Sequence, residues 1–196
     1  MARRALGTLR IIGGEWRSRL IEFDADAGVR PTPDRVRQTV FDWLSPLIAG
    51  ASCLDLFAGS GALGFEALSR GASHTSFIEQ GRDQAVALRA AAARLAASDR
   101  AEIVQTDALS WLRNTARRYD VVFLDPPYGD NLLAPALAAL PGLLKPMHRV
   151  YLEWPIGQAP QLPPGYSLLK EKSAGQVSYG LAVFKALEPV TRGEHT

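Results

Sequence analysis

The chain has 196 residues, of which 47% are hydrophobic and 21% are charged, and its formal net charge is +2 at pH 7. This length predicts a single domain with at most a small appendage, and the composition is ordinary for a soluble globular enzyme. No apolar run approaches the roughly 20 residues that span a bilayer, and the N-terminus lacks the apolar stretch of a secretory signal. We therefore expect a cytoplasmic protein that makes no membrane contact.

The metal-ligating and thiol residues are few. A single cysteine, Cys53, excludes an intramolecular disulfide and is typical of a reducing cytoplasm. It lies in an apolar run that predicts a buried strand, so we expect an inert core thiol. The histidines His74, His148 and His195 are scattered along the chain, and we therefore expect no metal site.

Positive charge is concentrated in a few places. Residues 1–19 carry five arginines against one acid, Glu15, and smaller groups follow: Arg3, Arg4, Arg10, Arg17 and Arg19, then Arg30, Arg35 and Arg37, then Arg113, Arg117 and Arg118. Guanidinium groups match phosphate geometry, so a basic N-terminal arm is a plausible RNA contact. A solvated basic terminus explains the same residues equally well.

The first 50 residues predict two small elements. Segments 8–14 and 16–23 can pair as a hairpin around Gly13 and Gly14. An amphipathic helix is expected over 32–47, with Thr32 as its N-cap and Pro33 in the first helical position.

From residue 50 onward, strand-like and helix-like segments alternate. Strands are expected at 51–58, 74–79, 101–106, 119–125 and 149–154, and helices at 60–70, 82–97, 108–117 and 131–144. Two further strands, over 166–173 and 177–186, have no helix between them. The pattern predicts an α/β fold whose mostly parallel seven-stranded sheet is covered on both faces and ends in an antiparallel hairpin.

A glycine-rich turn joins the first strand of this sheet to its helix. Gly59, Gly61 and Gly64 satisfy the spacing GxGxxG, and Glu79 ends the next strand 20 residues after Gly59. Glycines at this position let a ligand approach the backbone closely. The motif alone is weak, and it leaves a dinucleotide-binding dehydrogenase open.

Acidic residues at three successive strand ends favour S-adenosylmethionine over a dinucleotide. Asp55 would repel a pyrophosphate and suits an amino or cationic group, and Glu79 can accept from both ribose hydroxyls. Asp107 is placed to accept from the adenine amino group. All three can also be read as helix N-caps, Asp107 most readily.

The motif Asp125-Pro126-Pro127-Tyr128 ends the fourth strand of the alternating series. Two prolines hold a stiff turn that can aim a carboxylate, a carbonyl and an aromatic ring into one pocket. Asp125 and the Pro126 carbonyl would accept hydrogen bonds from an exocyclic amine, and Tyr128 would stack on the base. A carboxylate can accept from both N1–H and N2–H of guanine, so Asp125 favours guanine over adenine. A rigid turn around a buried tyrosine is the structural alternative.

These motifs together resemble the RsmD family of guanine-N2 methyltransferases that act on small-subunit (16S) ribosomal RNA. The resemblance runs over nearly the whole chain, through segments 10–17, 30–37, 54–64, 125–128 and 171–176. It implies a Rossmann-like methyltransferase domain over 30–190, an RNA-binding hairpin extension over 1–29 and a tail over 191–196. It also implies a substrate guanine within an assembled or assembling small subunit.

The resemblance also implies roles for individual positions. The implied cofactor site consists of Asp55, Phe57, Gly59, Ser60, Gly61, Glu79, Asp107 and Ala108, and the implied catalytic group of Asp125, Pro126 and Tyr128. Contact with RNA is expected from Arg10, Arg17, Arg30, Thr32 and Tyr128, and no metal is expected.

Four rival functions fit parts of the sequence. A DNA adenine-N6 methyltransferase shares the glycine and DPPY motifs, but usually needs an added recognition domain for which this chain has little room. A glutamine methyltransferase would be expected to have asparagine at position 125. A non-enzymatic RNA-binding module would not need complete motifs, and a dehydrogenase leaves residues 125–128 unexplained.

Overall fold

The computed structural model describes residues 5–25, 31–127, 129 and 131–186. Near the N-terminus, strands β1 (Leu6–Arg10) and β2 (Leu20–Asp24) form the expected antiparallel hairpin. Leu6 pairs with Asp24 and Arg10 with Leu20, so the connection is the nine-residue segment 11–19 rather than a tight turn at the glycines.

The first helix, α1 (Asp34–Ile48), begins one residue after Pro33, the predicted first helical position. Pro33 is the N-cap, with φ −58° and ψ 149°, and no side chain caps the helix. The assignment of Thr32 as N-cap is therefore wrong. Its buried side chain lines the large cavity described below, because the extended conformation of Pro33 separates it from the helical N–H groups.

Seven strands form one sheet in the order β5-β4-β3-β6-β7-β9-β8. The strands are β3 (Ser52–Asp55), β4 (His74–Glu79), β5 (Ala101–Gln105), β6 (Tyr119–Leu124), β7 (Leu144–Pro155), β8 (Tyr166–Ala174) and β9 (Val177–Phe184). The first five run parallel, and β9 pairs antiparallel with both β7 and β8. The predicted fold class is confirmed.

Four helices connect these strands. They are α2 (Ala62–Ser69), α3 (Arg82–Arg94), α4 (Ala108–Asn114) and α5 (Leu133–Ala139). Helix α5 is shorter than predicted, because the chain turns at Pro141 into a 3-10 turn over Pro141–Leu143. Strand β7 then begins at Leu144, earlier than the predicted residue 149.

Helices cover both faces of the parallel part of the sheet. One face packs under α1, α2, α3 and the N-terminal hairpin, and the other under α4 and α5. As predicted, Cys53 lies in this core, where burial raises the pKa of its thiol. Among the described residues, no helix combines the length and the apolar composition needed to cross a membrane.

A buried ion pair attaches the hairpin segment to the sheet domain. Glu66 of α2 and Arg37 of α1 are at most 1% exposed, and Nη1 of Arg37 lies 3.3 Å from Oε2 of Glu66. Glu66 also accepts from the backbone N–H groups of Ile12 and Gly13, both at 2.9 Å. Arg37 additionally donates to the Arg10 carbonyl at 2.8 Å. Since removing one partner would leave an uncompensated buried charge, this contact fixes the hairpin relative to the sheet.

Candidate active site

The large cavity lies where the strand order reverses. Strands β3 and β6 are neighbours, but the chain leaves them toward opposite sides of the sheet, which opens a crevice at their carboxyl ends. A cavity of about 1230 Å³ occupies this crevice. It is bounded by the ends of β3, β4, β5, β6 and β7 and by the segment before α1.

The glycine-rich turn forms one wall of the cavity. Gly61 is the N-cap of α2 with φ 76°, a left-handed conformation that favours glycine. A Cβ on Gly64 would collide with the ring of Phe77, so this glycine allows α2 to pack closely against β4. Gly59 lines the cavity, whereas Gly61 does not. Gly59 is therefore placed for direct contact with a ligand, and Gly61 sets the shape of the turn.

Glu79, at the end of β4, is held by the backbone of two loops. Its Oε2 accepts from the Gly59 N–H at 2.9 Å and its Oε1 from the Gly81 N–H at 2.6 Å. A carboxylate offers about four acceptor positions, so two remain for a ligand. The contact also sets the spacing between the glycine turn and the start of α3.

Asp55, at the end of β3, is 3% exposed and lines the cavity. Its Oδ2 accepts from the Gly64 N–H at 3.0 Å. Burial raises the pKa of Asp55 to about 7, the negative charge of Glu79 adds to the rise, and the Gly64 N–H opposes it. Asp55 is therefore poised between its neutral and charged forms near neutral pH, and a cationic ligand would favour the charged form.

The other predicted cofactor residues also lie around the cavity. Phe57, Ser60, Asp107 and Ala108 line it. Asp107 is in addition the N-cap of α4, since its Oδ1 accepts from the Ser110 N–H at 2.7 Å. The helix-cap interpretation of Asp107 thus holds, and its second carboxylate oxygen has no partner among the described residues.

The lining of the cavity is strongly acidic. Its described residues include seven carboxylates and one arginine: Asp24, Asp55, Glu79, Asp83, Asp107, Asp125, Glu153 and Arg82. Such a lining repels a pyrophosphate and suits a ligand that carries an ammonium and a sulfonium. The residues present therefore fit S-adenosylmethionine better than a dinucleotide. Within the described ranges, no group of histidine, cysteine and acidic side chains is arranged to hold a metal ion.

Asp125 follows the last residue of β6 and lines the cavity. The side chain is half-buried, with part of its surface facing the cavity. Burial raises its pKa well above the ordinary value, the charges of Glu153 and Asp55 raise it further, and a hydrogen bond from Thr32 opposes the rise. Pro126 is buried and lines the same space, whereas Tyr128 lies outside the described residues.

The predicted RNA-contacting arginines have different surroundings. Arg10 is 61% exposed, borders a second cleft between the hairpin and residues 31–34, and lies 3.2 Å from the carboxylate of Asp34. Arg17 is exposed on the hairpin connection, and Arg30 lies outside the described residues. The buried Arg37 serves the fold, as does Arg117, which pairs with Glu102 at 2.6 Å.

Two further residues belong to the site and are not among those predicted from the sequence. Glu153 of β7 lies in the cavity wall and is 7% exposed. Gln84 of α3 donates to the Gly59 carbonyl at 2.5 Å and accepts from the Asp24 N–H at 3.0 Å, so it ties the glycine turn to the hairpin. Glu153 shows the same signal as Asp55 and Glu79, an acid at the end of an apolar strand. Gln84 lies within a helix and shows no such signal.

Known proteins resemble the chain over most of its length. The family described as Conserved hypothetical protein 95 matches residues 9–183. The Ribosomal RNA small subunit methyltransferase D of Escherichia coli strain K12 is 43% identical over 178 residues, which is 89% of each chain. Its namesake in Haemophilus influenzae is 42% identical over 182 residues, or 90% of this chain and 94% of that protein. This chain belongs to the RsmD family.

Solved structures agree with this assignment of the fold. The RsmD-family chain superposes on the yhhF protein of Escherichia coli with a TM-score of 0.84 and 41% identity, covering 92% of this chain and 100% of that one. A more distant match is the Thermus thermophilus 16S rRNA N2 G1207 methyltransferase RsmC in complex with AdoMet and guanosine. The TM-score is 0.69 and the identity 17%, and the match covers 94% of this chain and 52% of that one. The chain therefore has a Rossmann-like methyltransferase fold.

Proposed function

We propose that this RsmD-family chain transfers a methyl group from S-adenosylmethionine to the exocyclic N2 amine of one guanine in small-subunit ribosomal RNA. The observation that carries the proposal is the position of Asp125. Its carboxylate borders an acid-lined cavity at the strand-order reversal and can accept from adjacent N–H donors. The names of the relatives support ribosomal RNA as the substrate, and the acceptor chemistry of Asp125 supports guanine.

Residues of the cavity wall would hold the cofactor by its polar groups. In this proposal Glu79 accepts from the ribose hydroxyls with the acceptor positions that the backbone leaves available. Asp107 accepts from the adenine amine, and Asp55 faces the cationic end of the molecule. Phe57, Ala108 and the glycine turn pack against the apolar and ring portions. The bound cofactor supplies a methyl group on a sulfonium, which is the electrophile of the reaction.

The target amine is a weak nucleophile, because its lone pair is delocalised into the guanine ring. Hydrogen bonds to Asp125 and to the Pro126 carbonyl would orient the amine and favour a pyramidal nitrogen. Alignment at about 3–3.5 Å from the methyl carbon then supplies much of the rate enhancement, since a bound, aligned pair avoids the entropic cost of encounter. Tyr128 would stack on the base, which contributes roughly 1–3 kcal/mol.

The test of this proposal is methyl transfer from tritium-labelled S-adenosylmethionine, with nucleoside analysis of the products. We expect label in N2-methylguanosine when the substrate is small-subunit ribosomal RNA, and more of it when that RNA is within the assembled or partly assembled subunit. Duplex DNA serves as the arm for the rival adenine-N6 reaction. Label in N6-methyladenine, or no label in any RNA arm, would overturn the proposal.

We also propose that the N-terminal hairpin contacts RNA through Arg10 and Arg17. Replacing both by alanine should weaken binding to the small subunit and lower the salt slope by about one unit for each phosphate that is no longer neutralised. Arg113→Ala on the exposed side of α4 is the matched control. The measurement is RNA affinity at several salt concentrations. If the salt slope of the double variant equals that of wild type, Arg10 and Arg17 are solvated surface residues that do not contact RNA.

A further inference from the structure

Three carboxylates form a row across neighbouring strands at the site. Leu124 of β6 pairs with Leu152 of β7. The residues that follow them, Asp125 and Glu153, therefore lie side by side. Asp55 of β3 pairs with Phe123, two residues before Asp125, and therefore shares its face of the sheet. All three line the same cavity. The proposed reaction uses Asp55 and Asp125 and leaves Glu153 without a role.

The carboxylate of Glu153 contacts a buried tyrosine on the same strand. The Tyr151 hydroxyl donates to Oε2 of Glu153 at 2.8 Å. Burial raises the pKa of Tyr151 well above its ordinary value, and the charges of Glu153 and Asp125 raise it further, so the hydroxyl stays protonated and remains a donor. A donated hydrogen bond stabilises the charged form of a carboxylate. Tyr151 therefore favours a negative charge on Glu153 next to Asp125.

We propose that Glu153 is a positioning residue whose charge turns Asp125 from a hydrogen-bond acceptor into the base that takes the proton from the methylated nitrogen. The proposal rests on the proposed transfer to an exocyclic amine. Paired strands lie about 4.8 Å apart, so two carboxylates that share a face on neighbouring strands disfavour a second negative charge. Asp125 therefore binds a proton more tightly than an isolated carboxylate does, and the pKa of Asp125 is indeed raised with Glu153 as the largest charge contribution.

The reaction balances with this assignment. The lone pair of the amine nitrogen forms the new nitrogen–carbon bond, and the electrons of the carbon–sulfur bond return to sulfur. The nitrogen is then cationic and must lose one of its two protons to give the neutral methylamine. Asp125 accepts that proton, and water takes it from Asp125 after the product leaves, which restores the carboxylate.

The other charged groups around Asp125 do not replace Glu153 in this role. Asp55 lies on the β3 side with Glu79 behind it and adds a smaller charge effect. On the other side, Tyr179 of β9 pairs with Glu153 and brings a phenol rather than a carboxylate or a cationic group. From the α1 side, the Thr32 hydroxyl donates to Asp125. The guanidinium of Arg37 binds the Thr32 carbonyl at 3.1 Å and is neutralised by Asp34 and Glu66.

The test is the pH profile of kcat/KM for Glu153→Gln, in which the amide can still accept from Tyr151. Loss of the charge should move the acidic limb, which reports Asp125, to lower pH by about one unit or more. Because Asp125 becomes a weaker base, kcat at pH 8 should fall by about tenfold. Glu153→Asp should restore both properties, and Glu171→Gln, on the exposed strand β8, should change neither.

A second readout does not depend on turnover. Carbon-13 NMR of the aspartate carboxyl carbons, with Asp125→Asn to assign the signal, should show the same downward shift of the Asp125 midpoint in Glu153→Gln. An unshifted acidic limb with lower activity throughout, or an unshifted NMR midpoint, would overturn the role of Glu153. If wild type methylates no RNA, the proposed function fails, and the positioning role of Glu153 in that reaction fails with it. The NMR shift then reports only the coupling of the two carboxylates.

Discussion

Asp125→Ala is expected to lower kcat for methyl transfer by about a hundred- to a thousand-fold while S-adenosylmethionine still binds. The substitution removes the acceptor that orients the amine and the group that receives its proton. Removal of one preorganised electrostatic interaction from an enclosed site costs rate of this order. Cofactor affinity should change little, because in the proposed site Asp55, Glu79 and Asp107 hold the cofactor, while Asp125 binds the target base.

The measurement combines single-turnover methyl transfer with calorimetric titration of the cofactor. Asp99→Ala, which removes an exposed carboxylate after α3, is the matched control and should behave as wild type. Asp125→Asn should fall between the two, because the amide keeps one acceptor but turns a donor toward one of the guanine N–H groups. Turnover of Asp125→Ala close to that of wild type would remove Asp125 from the reaction.

Asp55→Asn is expected to raise the Kd for S-adenosylmethionine by about tenfold to a hundredfold at pH 8. A hydrogen bond to a charged group contributes roughly 1.5–3 kcal/mol, and each 1.4 kcal/mol corresponds to a factor of ten. The amide can still accept from the Gly64 N–H, so the start of α2 should keep its geometry. Asp99→Asn, on the surface, again serves as the matched control.

The same variant makes a prediction about pH. The folded-state pKa of Asp55 is about 7, so the wild-type carboxylate gains a proton as the pH falls from 8 to 6. Cofactor affinity should fall with it, by a factor approaching ten per pH unit below 7, since the protonated acid no longer attracts a cation. Asp55→Asn should lose this dependence. An equally steep dependence in the variant would assign it to another group.

The stability of the folded protein without cofactor should change with pH in the opposite direction to cofactor affinity. The pKa of Asp55 rises from an ordinary value of 3.8 to about 7 on folding, so the folded state binds the proton more tightly. Its contribution to stability is full below pH 3.8 and is lost as the pH rises through 7. Without cofactor, Asp55→Asn should therefore unfold at the same temperature as wild type or a higher one at pH 8. A lower unfolding temperature would mean that the carboxylate is needed for folding.

Local sequence patterns predicted most of the sheet and much of the site. Alternating apolar strands and helices specify a parallel sheet, and the paired strands after residue 165 specify its antiparallel end. Asp55, Glu79 and Asp125 were found because parallel strands bring their carboxyl ends to one edge. That rule needs only the order of residues along the chain, and applied to β7 it also finds Glu153.

Other features required the packed molecule. The hairpin connection, the late start of α1 at Asp34 and the turn at Pro141 depend on how the elements fit together, and local propensity describes such boundaries poorly. Arg37 belongs to a run of arginines that suggests phosphate contact, yet Glu66, 29 residues away in sequence, neutralises it in the core. No local pattern predicts a partner at that distance.

The order of residues along the chain specifies the α/β fold, the glycine turn, the acidic strand ends and the family to which the chain belongs. Which charged groups interact depends on the folded molecule. Strand order places Glu153 beside Asp125, and burial raises the pKa of Asp55 to about 7. The strength of an electrostatic interaction depends on distance and on the exclusion of water, and both are set by packing rather than by position in the chain.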